Sequence, residues 1–298
     1  MAEIADRPPF PLDRRLRRWL RTSGVRHVYA STIACFALFP VVWILSAAFN
    51  RVDDISTSRL IPSDVTLDNF RILWEESTTP VGRWMWNSFV VGIVAASANV
   101  VIAAFAAYAF SRLRFAGRRT LLTSLLVMQI FPQFLGFIAL FVLAQEVGDV
   151  SSAFGLNTHL FLILVYAGGA AGFNAFLLKG FLDSIPTSLD EAAVLDGASN
   201  WVIFSRVIVP LARPMLAVIF MISFIAIFGE FILASSLLSD TDRFTLPIGL
   251  QTFLGESYNA KWGALSAVAL VGALPIVVLF LVAQKHIIGG LTAGSIKG

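Results

Sequence analysis

Long apolar runs alternate with short polar connectors along the whole chain. Six runs, at 28–49, 86–110, 121–145, 156–178, 216–238 and 262–284, are each long enough to cross the hydrocarbon core of a bilayer as a helix. The second is rich in alanine at helix-packing spacing, with Ala103, Ala104 and Ala107. The third is interrupted by Pro132 and carries Gln129 and Gln133. The fourth contains Gly168 and Gly172 in GxxxG spacing, a pattern expected to mark tight packing, together with Asn174. The fifth holds Glu230, the one acid within these runs, and Pro275 is expected to kink the sixth. A secretory signal could also follow an Arg-rich tail and end near Ser46-Ala47-Ala48. The first run is too long for a signal-peptide core, so it reads as an uncleaved span.

The connectors are sorted by charge. Starting from the N-terminal tail 1–27, alternate connectors hold seven, four, three and two Lys or Arg, against four, none and two in the others. The positive-inside rule then places both termini in the cytosol, together with the connectors after the second and fourth runs. The expected organisation is a cytosolic tail at 1–27, a first span with its outer loop at 28–81, a membrane core at 82–285, and a cytosolic C-terminal tail at 286–298. The fold class is all-α and polytopic, with six transmembrane helices.

Composition fits this picture. Of 298 residues, 57% are hydrophobic and 14% charged, which excludes an ordinary soluble domain. Net charge is +3, but the cations follow topology, so a nucleic-acid partner is not expected. Cys35 stands alone and cannot form an intrachain disulfide, and the histidines at 27, 159 and 286 lack ligand spacing. No metal or cofactor site is expected. There is no P-loop, no H-E-x-x-H and no G-x-S-x-G, so any ATP the protein depends on must be held by another chain.

The connector between the fourth and fifth runs reads PTSLDEAAVLDGASNWVIFSRVIVPLARP from Pro186 to Pro214. Ser188 and Glu191 form an S-x-x-E capping box in sequence, and Leu189, Ala192, Ala193 and Leu195 supply a small apolar face. Gly197 sits where a C-cap belongs. A second helix is expected from Ser199 or Asn200, burying Trp201, Phe204 and Ile208 before Pro210 stops or kinks it.

Glu191-Ala192-Ala193, Asp196-Gly197-Ala198 and Val207-Ile208-Val209-Pro210 together resemble the EAA signature of bacterial ABC-importer permeases, with valines for the usual Ile and Leu before the proline. The resemblance runs from about Trp84 to the C-terminus. Within the family it is nearest the shorter membrane subunit of maltose/maltodextrin importers, through Gly155-Leu156-Asn157-Thr158-His159, Tyr166-x-Gly168-Gly169 and the tail from Gly290 to Gly298. It implies a bacterial cell-membrane complex with a second permease, two cytosolic ATPase subunits and an extracytoplasmic sugar-binding protein. It also implies that the connector is a cytosolic coupling helix seated in an ATPase cleft. Glu191 would then make a polar contact with the ATPase, in competition with its capping role. Ser188, Ala192, Ala193, Asp196 and Gly197 would complete that surface, with Gly294 and Ser295 reaching between the ATPase subunits. The outer loop at 239–261 resembles the one that inserts toward the binding protein's sugar site.

Polar side chains at membrane depth mark the bundle interior. Gln129, Gln133, Asn174 and Asn99 are candidates to line a translocation path, or else to satisfy neighbouring helix backbones. Glu230 either lines an outward-facing cavity or pairs across a subunit interface. An ion-coupled secondary transporter working through Glu230 is the rival class. An intramembrane enzyme lacks any catalytic constellation.

Overall fold

The computed structural model describes residues 19, 23–51, 61–62, 64–73, 79–130, 133–254 and 261–293, with 133–134 and 285–293 described by backbone alone. Among them the fold is helical, and β pairing is limited to an isolated bridge between Asn50 and Val65. The helices are α1 Val25–Ala48, α2 Val81–Arg112, α3 Arg118–Met128, α4 Phe137–Val150, α5 His159–Gly169, α6 Ala171–Asp183 and α7 Ser188–Leu195. After these come α8 Asn200–Phe228, α9 Ile232–Leu237, α10 Leu246–Gln251, α11 Trp262–Gly272 and α12 Leu274–Ala293.

Four stretches are long and apolar enough to cross a membrane: α1, α2, α8 and Trp262–Gln284. The pair α5 and α6, bent by 43° at Ala170, makes a fifth if counted as one broken span. Three of the six runs are not single continuous helices, an interruption that Pro132 leads one to expect of the third alone. In the third run α3 ends at Met128 and α4 begins at Phe137, directly after a 3-10 turn at Gln133–Gly136. Pro132, expected to interrupt this run, lies outside the described residues. The fourth run bends at Ala170. The fifth run ends its helix at Phe228, and the chain turns through Gly229 to Phe231 before α9 begins.

The long helix α2 is the hub, packing against α5, α6, α8 and α10. Its small residues allow this, since Ala95, Ala96, Ala103 and Ala107 are all buried. One buried cluster joins Ala107, Leu178, Leu182, Ile203, Phe204 and Ile208 near the α7 end. Others gather around Leu162 and Leu237, and around Trp84, Phe224 and Val268, toward the opposite end. Helix α1 packs on α11 but leaves most of its side chains exposed, as a lipid-facing span would.

At the end opposite α7, the segment 239–246 is tied down by polar contacts. Trp84 Nε1 donates to the Thr241 carbonyl at 2.8 Å, and Asn87 Nδ2 donates to those of Asp242 and Phe244 at 3.0 and 2.9 Å. Asn157, at φ +59°, accepts through Oδ1 from the Ser239 and Asp240 amides at 2.6 and 3.0 Å. Gly249 lies so close to the Trp84 ring that a Cβ there would sit 2.0 Å from it.

Candidate functional site

Two regions collect the residues singled out in the sequence: the elbow around α7, and a cavity beside Glu230.

The elbow starts differently from the capping box expected of Ser188 and Glu191. Thr187 is the N-cap residue and already has helical backbone angles, φ −66° and ψ −19°, with no side-chain cap. Ser188 is therefore inside the helix, where its hydroxyl cannot serve the amides a cap would serve. The Glu191 carboxylate is thereby left exposed, with no hydrogen bond or ion pair to any described residue. At the other end Gly197 fulfils its expected role. At φ +81°, it donates to the Val194 carbonyl at 2.9 Å while Ala198 donates to Ala193 at 2.9 Å. Those two bonds form a Schellman motif, which requires a left-handed residue at this position.

Helical geometry then splits α7 into two faces. Ser188, Glu191, Ala192 and Leu195 form an exposed stripe, Leu195 being 89% exposed. Asp190 and Ala193 face the protein. Ala193 packs on the Ile203–Ile208 cluster. Asp190 Oδ2 lies 2.5 Å from Arg112 Nε, and both side chains are largely buried, at 16% and 9% exposure. Arg112, in the last turn of α2, also donates to the Ile185 carbonyl at 2.9 Å and to Ser111 Oγ at 3.0 Å. Ser111 Oγ donates to Asp183 Oδ1 at 2.7 Å, and Lys179 Nζ reaches Asp183 Oδ2 at 2.5 Å. The elbow is thus clamped on one face and bare on the other. Sequence reading missed this clamp: Arg112 counted only toward topology, and Asp190 was overshadowed by the adjacent Glu191.

The second half of the elbow begins as expected, with Ser199 Oγ accepting from the Val202 amide at 3.4 Å. Phe204 and Ile208 are buried, but Trp201 is 62% exposed and stacks on Phe105, correcting the expectation that it is buried. Pro210 does not stop the helix either. A π-helical segment at Ile203–Ile208 precedes it, shifting the hydrogen-bond register so that α8 continues to Phe228.

Inside the bundle, Asn174 and Asn99 are buried, at 2% and 0% exposure. Asn174 Nδ2 donates to Asn99 Oδ1 at 2.5 Å and to Ser223 Oγ at 3.0 Å, while Asn99 Nδ2 donates to the Ala167 carbonyl at 3.2 Å. Of the two readings held for Asn174, the hydrogen bonds fit the second in this conformation: it joins α2, α6 and α8. Such interhelical bonds contribute about 0.6 kcal/mol each on average.

Glu230 and Gln129 do face a cavity, of about 560 Å³, lined also by Tyr166, Phe137, Phe173 and Gly168. Glu230 sits in the break after α8. Its Oε1 accepts from the Leu233 amide at 2.8 Å, and its Oε2 accepts from the Ala234 amide at 3.0 Å and the Tyr166 hydroxyl at 2.5 Å. The carboxylate thereby caps α9. Gly168 and Gly169 are open, since a Cβ at either would meet nothing within 4 Å. The GxxxG pattern is therefore not a packing seam along its length: Gly172 alone packs, against Leu125 and Gln129. The Gln133 side chain and residues Gly294 and Ser295 lie outside the described residues.

Comparison with known proteins agrees with this architecture of an all-helical, multi-pass membrane protein. Residues 99–290 match the model for the binding-protein-dependent transport system inner membrane component. The chain is 41% identical over 287 residues to the maltose/maltodextrin transport system permease protein MalG of Vibrio parahaemolyticus, covering 91% of this chain and 96% of that protein. It is 38% identical over 288 residues to the galactooligosaccharides transport system permease protein GanQ of Bacillus subtilis, covering 96% and 99%. In fold it resembles a bacterial ABC transporter involved in the import of the acidic polysaccharide alginate, with a TM-score of 0.71 at 22% identity over 94% of this chain and 99% of that one. The chain belongs to the family of binding-protein-dependent transport system inner membrane components, the permease subunits of ABC importers. It is a transport component of a multi-subunit system.

Proposed function

We propose that this chain is one of two permease subunits in an ATP-driven importer of maltose/maltodextrin-type oligosaccharides. It forms half of the translocation path and couples to the ATPase through α7. The observation that carries the coupling role is the two-faced α7 helix, held to its own bundle by Arg112 and Asp190 while Ser188, Glu191, Ala192 and Leu195 remain bare. A short helix with one face fixed and the other unpartnered suits transmission of a push from a second protein. The substrate class rests on the similarity to maltose/maltodextrin permeases. The similarity to the galactooligosaccharide permease favours, as a second reading, another neutral oligosaccharide.

In this arrangement both termini and α7 lie on the cytosolic side of six passes, the third, fourth and fifth of them broken. Two cytosolic ATPase subunits engage this chain and its partner permease, with Gly294 and Ser295 near the ATPase interface. An extracytoplasmic binding protein delivers the sugar at the opposite end. Glu191→Ala, which leaves the fold of α7 intact, tests the coupling role. The variant is expected to insert normally but to retain several-fold less ATPase subunit in mild-detergent copurification. Wild-type copurification together with wild-type uptake would refute the role given to Glu191.

A further inference from the structure

We infer that the cavity beside Glu230 is a subsite for one neutral sugar residue of the translocating oligosaccharide, and that its carboxylate excludes anionic sugars. This deepens the oligosaccharide-importer reading and rests on it. The cavity, about 560 Å³, lies within the range of about 300–1,000 Å³ typical of small-molecule sites.

Its walls offer what a polyol needs. Sugar hydroxyls both donate and accept, and sugar C–H faces pack on aromatic rings. Phe137 and Phe173 line the space, and Phe173 is 44% exposed. The Gln129 amide also lines it and makes no hydrogen bond to any described residue, leaving two donors and an acceptor for a ligand. A carboxylate has about four lone-pair sites, and Glu230 uses three, one on Oε1 and two on Oε2. One site on Oε1 remains to accept a hydroxyl. Tyr166 spends its proton on Glu230 and keeps its oxygen lone pairs as acceptors.

The electrostatics select among sugars. The described lining residues include Glu230 but no Lys, Arg or His. The carboxylate is held by two amides and a phenol, all neutral, and pairs with no cation among the described residues. A second carboxylate in the same low-dielectric space meets direct repulsion, whereas a neutral hexose finds acceptors. The broken fifth run explains the placement, because capping α9 is what turns the carboxylate toward α5.

The test uses the complete permease pair with its ATPase subunits in nanodiscs. Ligand-observed saturation-transfer NMR is run with maltotriose or trigalacturonate, the binding protein omitted. Proteoliposome uptake and ATPase rates are measured with the binding protein restored. Gln129→Ala combined with Phe173→Ala is expected to cut the maltotriose signal and uptake at least fivefold. Trigalacturonate should give no signal on the wild type and gain one in Glu230→Gln, which keeps an acceptor for the α9 amides. Unchanged maltotriose signal and uptake in the double variant would overturn the subsite, as would equal signals from both sugars on the wild type. If Glu230→Gln disrupts assembly while the double variant behaves as wild type, Glu230 is a helix cap alone and the inference fails. A wild-type importer that takes up no sugar would refute the oligosaccharide reading itself, a separate result.

Discussion

Arg112 ties three chain segments to one point: the end of α2, the turn at Ile185 and the inward face of α7. Removing one member of a largely buried ion pair leaves the other uncompensated, at a cost of up to about 3–5 kcal/mol. Arg112→Ala is therefore expected to loosen the elbow and lower ATP-driven uptake by more than tenfold without preventing insertion. The charge-swapped pair Arg112→Asp with Asp190→Arg should regain part of that loss. A swap no better than the single change would show that the pair does not position α7. Asn174 is expected to behave differently. Asn174→Ala removes two interhelical hydrogen bonds, a loss of about 1 kcal/mol. It should lower the thermal midpoint of the purified complex and leave the choice of sugar unchanged. An altered sugar preference with an unaltered midpoint would return Asn174 to the path. At this scale the sequence was readable where chemistry is local. Gly197 announces a left-handed turn by its identity, and Glu230 is conspicuous as an acid among apolar neighbours. The partner of Asp190 was hidden, because one arginine among 22 basic residues carries no mark of the distant segment it meets.

Helix α8 joins the elbow to the cavity. It runs 29 residues without interruption from the second half of the elbow to the break before Glu230, about 43 Å at 1.5 Å per residue. Trp201 and the rim of the cavity thus stand at the two ends of one continuous helix, which contains the π-helical segment and Pro214. The turn that holds α7 to α8 depends on Gly197 at φ +81°. A Cβ-bearing residue in the left-handed region costs about 1–2 kcal/mol, least for Asn. Gly197→Leu is expected to weaken ATPase-subunit copurification several-fold, and Gly197→Asn to leave it near wild type. Equal behaviour of the two would mean the backbone conformation at 197 is not what matters. Periodicity located the spans but not their breaks. The runs at 121–145, 156–178 and 216–238 are apolar on both sides of each interruption, so nothing in their pattern marks where backbone hydrogen bonding stops. Pro132 gave a local warning for the first of these, while Pro210, an equally strong breaker by propensity, is absorbed by the π-helical segment.

As a whole, the molecule is a hub helix surrounded by broken spans, with a polar anchor at each end. One end carries the loop held by Trp84, Asn87 and Asn157, and the other the clamp at Arg112. Between them lie the buried Asn99–Asn174–Ser223 chain and the Glu230 cavity. This arrangement ties both ends to α2, with the bent pair α5–α6 and the short α9 between them. The bare stripe on α7 is where force must enter if another subunit drives the cycle. A photo-crosslinking amino acid at Leu195, 89% exposed, reads that directly in intact cells expressing the whole importer. An adduct with the cytosolic ATPase subunit is predicted. Adducts with lipid or with an extracytoplasmic protein alone, in cells that still import sugar, would contradict it.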